Sequence, residues 1–100
     1  IFIYIMTPNM NKVYNLVKKI KKGKVASYKQ LAKLTRLHPR AVAKILSKNQ
    51  NKTIPCHRVI MASGKIGGYN KGIKLKTSKL KSEGITIKNN KISKEFFQTF

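Results

Sequence analysis

The segment Ile54-Pro55-Cys56-His57-Arg58-Val59 places the only thiol of the chain directly before an imidazole and a guanidinium. The thiolate, not the thiol, is the nucleophile, and nearby cations lower a cysteine pKa from its usual ~8.5. The local field of His57 and Arg58 is therefore expected to favour the reactive form of Cys56. Neighbouring side chains in an extended segment point to opposite sides, so His57 takes the Cys56 proton only across a turn or through a bridging water. A plainer reading stands beside this one: Cys56 as a small buried hydrophobe, His57 as a satisfied core histidine and Arg58 as a surface charge.

These residues must be positioned by a small domain. The chain has 100 residues, with 23 Lys and Arg against two acidic residues and a net charge of +21. One modest core fits this length, and a second cofactor-binding domain does not. No internal pairing neutralises such a charge, which calls for a polyanionic partner. With 41% hydrophobic residues, the chain reads as a folded basic domain rather than a disordered basic tail. A single cysteine excludes an internal disulfide and a cysteine-rich zinc site and suits a reducing interior; the location expected is cytoplasmic, prokaryote-like and nucleoid-associated through DNA. The apolar stretch Ile1–Met6 is too short to cross a bilayer, and the lysines are not gathered opposite an apolar face, so no membrane partner is expected.

The fold class expected is mainly α: a winged helix-turn-helix domain with a small β-hairpin wing. Residues 1–9 are read as an N-terminal remnant or edge strand, and residues 10–100 as the single domain. Val13, Leu16, Val17 and Ile20 recur at helical spacing between Thr7-Pro8 and Gly23, which predicts a first helix. Ser27-Tyr28-Lys29-Gln30 fits a capping box that starts a second helix at Tyr28. Pro39 opens a third, running to about Lys48, with Val42, Ile45, Leu46 and Asn49 on one face and Arg40, Lys44 and Lys48 on another. Two short helices in tight succession, the second with a basic exposed face, outline a helix-turn-helix. A glycine-rich loop follows over residues 63–72, then a fourth helix from Ile73 to Glu83 capped by Gly84. Ile85, Ile87 and Ile92 around Asn89-Asn90 suggest the wing, and the terminal Phe residues seal a hydrophobic edge.

The string Pro55-Cys56-His57-Arg58-Val59 resembles the active-site motif of the O6-alkylguanine-DNA alkyltransferases. Ser63-Gly64, Gly68-Tyr69 and Glu83-Gly84 are similar to that family's downstream pattern. Ser27-Tyr28, Arg40-Ala41-Val42 and Asn49 are similar to its upstream pattern, and together these matches span Met10 to Gly84. The resemblance implies direct, single-turnover transfer of an alkyl group from O6-alkylguanine in double-stranded DNA to Cys56, by a monomer that flips the base out and needs no metal or cofactor. It implies that His57 relays the thiol proton through water and that Glu83 orients the imidazole. Asn49 would tie the helix-turn-helix to the Cys56 segment. Arg40 would fill the space left by the everted base, and Tyr28 would press on the target phosphate. Lys44, Lys48 and Arg58 would contact DNA, and Tyr69, Asn70, Pro55 and Val59 would shape the substrate pocket.

Glu83 also draws support from composition: in a chain with only two carboxylates, a buried partner for an imidazole is a reason to retain one. Likewise, two of only three Arg residues, Arg40 and Arg58, occupy motif positions. The chain departs from the family's pattern in lacking room for its N-terminal domain and in carrying Lys44 where a small residue is common. Asn70 and Lys71 also stand where smaller residues are common, which would narrow the pocket and favour methyl over bulky adducts. Two other readings remain: an alkyltransferase-like protein that recognises damage without transfer, although members of that kind usually replace the cysteine, and a plain winged-helix DNA binder.

Overall fold

The computed structural model describes residues 7–69 and 71–100, so the suggested edge strand at the N-terminus and the pocket residue Asn70 lie outside the described residues. Helix α1 spans Pro8–Lys18. Thr7 Oγ1 accepts from Met10 N at 3.2 Å, and Pro8 gives up no hydrogen bond in the first turn. Residues 7–9 are therefore the cap and first turn of α1 rather than part of a remnant, which moves the domain start ahead of residue 10. Val13, Val17 and Ile20 are buried, as their spacing predicts. The Tyr14 hydroxyl donates to Ile45 O at 2.8 Å and ties α1 to the third helix.

Strand β1 (Ala26–Ser27) leads directly into α2 (Tyr28–Thr35). The capping box is formed: Ser27 Oγ accepts from Gln30 N at 3.0 Å while Gln30 Oε1 accepts from Ser27 N at 2.8 Å. Such a cap stabilises a helix by about 1 kcal/mol. Arg36 ends α2 in the left-handed region (φ 59°), and Leu37 N returns to Ala32 O. His38 Nδ1 then accepts from Arg40 N at 3.1 Å and caps α3 (Pro39–Ser47). Val42 and Leu46 turn inward, while Arg40, Lys44 and Lys48 are exposed.

After a 3-10 turn at Cys56–Arg58, β2 (Val59–Ile60) pairs in parallel with β1, Ala26 opposite Val59 and Ser27 opposite Ile60. Successive strand residues face opposite sides, and this splits the core in two. Val59 and Ala26 join the cluster of α1, α2 and α3 together with Cys56. Ile60 and Val25 join a second cluster with Ile66, Leu80, Ile85 and Ile92, covered by Phe96 and Phe97. Each fully buried Val, Leu or Ile contributes about 1.5–3 kcal/mol. Helix α4 (Ile73–Ser82) supplies Leu80, and the C-terminal segment is strapped on through Val25 N to Phe96 O (2.9 Å) and Gln98 N to Val25 O (2.8 Å).

The expected wing takes a smaller form. Asn89 and Asn90 adopt left-handed angles (φ 52° and 60°), as a two-residue turn requires, but the turn is closed only by a Lys88–Lys91 bridge. Ile85 and Ile92 are drawn into the second cluster, and Lys91 also bridges Lys65, so among the described residues no paired ribbon extends from the domain. Among the described residues, no helix is long and apolar enough to cross a membrane.

Candidate active site

Cys56 opens the 3-10 turn that precedes β2, so the strand pairing fixes its backbone at the junction of the two clusters. The residue is 8% exposed. Its Sγ accepts a hydrogen bond from Asn49 Nδ2 at 3.0 Å, and the same amide nitrogen donates to Asn51 O at 3.1 Å. Asn51 N in turn donates to Asn49 Oδ1 at 3.0 Å, locking the amide orientation just beyond the end of α3. Asn49 thus joins the segment after α3 to the turn that carries Cys56.

His57 and Arg58 do not activate the thiol in the way their adjacency suggested. Burial raises the Cys56 pKa, and the Asn49 hydrogen bond and the charge of Lys76 offset this only in part. Burial also lowers the His57 pKa against the pull of Glu83, which leaves the imidazole neutral near pH 7. Arg58 turns away from Cys56. Its Nε lies 3.0 Å and its Nη2 2.6 Å from the Glu83 carboxylate, and Nη1 donates to Ile20 O at 2.8 Å. With its side chain 16% exposed, Arg58 is a part-buried ion-pair partner turned to Glu83, not presented at the surface as the DNA contact expected from its motif would require.

Glu83, at the C-terminal end of α4, is the hub. Its Oε1 sits 3.1 Å from His57 Nε2, a close polar contact without the alignment of a full hydrogen bond. An anion at a helix C-terminus opposes the helix dipole, and burial works against its charge. Hydrogen bonds from Arg58 and the contact with His57 outweigh this and hold Glu83 below the usual carboxylate range.

A cavity of about 500 Å³ opens beside Cys56, walled by Tyr28, Leu46, Ser47, Met61, Gly67 and Tyr69. The volume lies within the range of small-molecule sites. Tyr28 stands on its wall, with its hydroxyl 3.4 Å from Gly68 O, and burial raises its pKa. Gly67 (φ 73°) lets the loop pass close to Tyr28 and Met61. Gly64 explains the Ser63-Gly64 pair: at φ 92°, a Cβ there would meet Ile92 O at 2.6 Å. Pro55 and Val59, expected in the pocket, do not line it. Val59 is wholly buried in the first cluster, because strand alternation turns it inward. Lys71 lines a different cavity, so it does not narrow this one.

Sequence reasoning missed Lys76. It is fully buried on α4, where its Nζ donates to Gly68 O at 3.0 Å and lies 5.7 Å from the Tyr28 ring centroid. Burial lowers its pKa to about 8, although the nearby Cys56 favours its charge. Among twenty lysines nothing in the sequence marks this one, and only its inward position on α4 sets it apart.

The fold and site define a helical domain with an exposed basic helix beside a cleft that ends at a buried, amide-held cysteine. A family described as 6-O-methylguanine DNA methyltransferase, DNA binding domain, matches residues 8–85, and the chain belongs to it. A methylated-DNA–protein-cysteine methyltransferase of Saccharolobus solfataricus is 51% identical over 76 residues, covering 75% of this chain and 50% of the relative. The crystal structure of O6-methylguanine-DNA methyltransferase from Pyrococcus kodakaraensis superposes with a TM-score of 0.72 at 41% identity, over 79% of this chain and 47% of that one. Atl1 of S. pombe, in complex with damaged DNA containing O6-carboxymethylguanine, superposes with a TM-score of 0.82 at 26% identity, over 96% and 99% of the two chains. The chain spans about half the length of the curated relatives it matches.

Proposed function

We propose that this chain is the active-site domain of a single-turnover DNA repair methyltransferase that moves an alkyl group from O6 of guanine in double-stranded DNA onto Cys56. The observation that carries the reading is the Asn49 amide donating to Cys56 Sγ beside a cavity of about 500 Å³, large enough to admit a nucleobase.

Each residue then has a task. The exposed face of α3 with Arg40, Lys44 and Lys48 meets the phosphate backbone, and Arg40 occupies the space of the everted base. Flipping is required because the reacting carbon is shielded within the stack, and it costs a few kcal/mol that phosphate contacts offset. Tyr28 and Tyr69 wall the pocket. The thiol stays protonated at rest because it is buried. Neutral His57 takes its proton through water, and Glu83 stabilises the imidazolium that results. Cys56 Sγ forms a bond to the alkyl carbon as the bond from that carbon to guanine O6 breaks. The electron pair passes into the guanine ring, which recovers a proton. The product thioether is not hydrolysed, so each monomer acts once.

Incubation with excess duplex containing O6-methylguanine tests this: intact-mass analysis is expected to find one methyl group, mapped to Cys56, and none on Cys56→Ala. A wild-type chain of unchanged mass would overturn the assignment. A second reading is recognition of alkylated guanine without transfer; the superposition over 96% of this chain with Atl1, seen in complex with O6-carboxymethylguanine DNA, supports the recognition part of it. Tight binding of the damaged duplex with no mass gain would favour it.

A further inference from the structure

Two cavities meet at Cys56. Beyond the first lies another of about 310 Å³, and Cys56 and Tyr69 border both. In an in-line displacement the sulfur, the carbon and the leaving oxygen share one axis, so any group on that carbon larger than hydrogen projects sideways. With the base filling the first cavity, the second is the other space bordered by Cys56. Its walls carry Lys52, Lys71 and Lys79, with His57 and residues 49–51 beside them. Lys79 stands at the partition, its Nζ 3.4 Å from the Tyr69 hydroxyl and 5.7 Å from that ring's centroid. Among the described residues no carboxylate lines this cavity. Glu83, one turn beyond Lys79 on α4, is taken up by Arg58 and His57.

We propose that this second cavity is a subsite for the alkyl group and that it selects adducts ending in a carboxylate over neutral adducts of the same shape. The inference rests on Cys56 being the alkyl acceptor. Three lysine cations around a space bordered by Cys56 stabilise a negative group there, and they offer a neutral one no comparable gain.

The test compares two duplexes, one carrying O6-carboxymethylguanine and one carrying its neutral isostere O6-carbamoylmethylguanine, in single-turnover transfer at low salt. The carboxylate is expected to react about tenfold faster, equivalent to about 1.4 kcal/mol. That ratio should shrink at high salt and fall towards one in a Lys52→Gln, Lys71→Gln variant, both positions being exposed. Because the readout is a ratio, any loss common to both substrates cancels. Equal rates for the two adducts, with methyl transfer intact, would overturn the subsite and leave the repair reading standing. Methyl transfer with neither larger adduct accepted would also overturn it. No transfer from any of the three would instead sink the repair reading on which it rests.

Discussion

Replacing Glu83 with Gln separates the charge of the hub from its shape. Among the described residues the carboxylate is the only anion paired with Arg58, and the two side chains are 10% and 16% exposed. Removing one member of a buried ion pair costs about 3–5 kcal/mol. The lower figure applies here, because the pair is only part-buried, Arg58 keeps its bond to Ile20 O and a Gln oxygen still accepts one hydrogen bond. For a domain of this size about 1 kcal/mol corresponds to roughly 4–8 °C, so a loss of about 3 kcal/mol lowers Tm by roughly 12–24 °C. The sign with pH follows from the depressed carboxylate pKa. The stabilisation is complete above the unfolded carboxylate value of about 4.3 and disappears as pH falls through the folded value. Thermal unfolding followed by circular dichroism at pH 7 and then at progressively lower pH is therefore expected to show the two proteins converging. A double variant, Arg58→Met with Glu83→Leu, should regain most of the lost stability, since apolar replacements of buried pairs are often neutral or better. It should still transfer alkyl groups slowly, because His57 has lost its carboxylate. A Tm within a few degrees of wild type for Glu83→Gln at pH 7, or a gap that persists in acid, would refute the ion-pair argument.

Lys76→Met is expected to stabilise the fold by about 1–2 kcal/mol near pH 7 by removing a buried cation, while shifting the pH midpoint of Cys56 alkylation by iodoacetamide upwards; an unchanged midpoint would remove Lys76 from the site. In the wild type, the unfolded chain binds the Lys76 proton more tightly than the folded one between about 8 and 10.5, so this group's contribution to stability rises with pH across that window. Gly64→Ala should cost about 3 kcal/mol or more in urea unfolding, from left-handed strain and the 2.6 Å approach to Ile92 O. Arg40→Ala, on an exposed position, should leave Tm unchanged and slow transfer from duplex DNA without altering iodoacetamide modification of Cys56; a parallel drop in both rates would show damage to the site rather than to base extrusion.

Local chemistry made much of the helical scaffold legible in the chain itself. Thr7-Pro8, the Ser27–Gln30 capping box and Pro39 mark helix starts because short side chains and a missing donor satisfy first-turn amides wherever they occur. The spacing of Val13, Val17 and Ile20 fixed which face of α1 is buried, and Asn89-Asn90 marked a turn that needs left-handed angles. What lay beyond reach depended on contacts between distant segments. The parallel pairing of Ala26-Ser27 with Val59-Ile60 has no local signature, yet it seats Cys56 and turns Val59 into the core rather than the pocket. Arg58 read as a cation for DNA or for the thiol until α4 brought Glu83 against it, 25 residues away in the chain. Lys76 differs from nineteen other lysines only in facing inward. Residue types and spacing determined which groups could react, because those properties belong to each side chain and its neighbours. The electrostatic state of the thiol was decided by the folded structure, because burial and partners exist only once remote segments pack together.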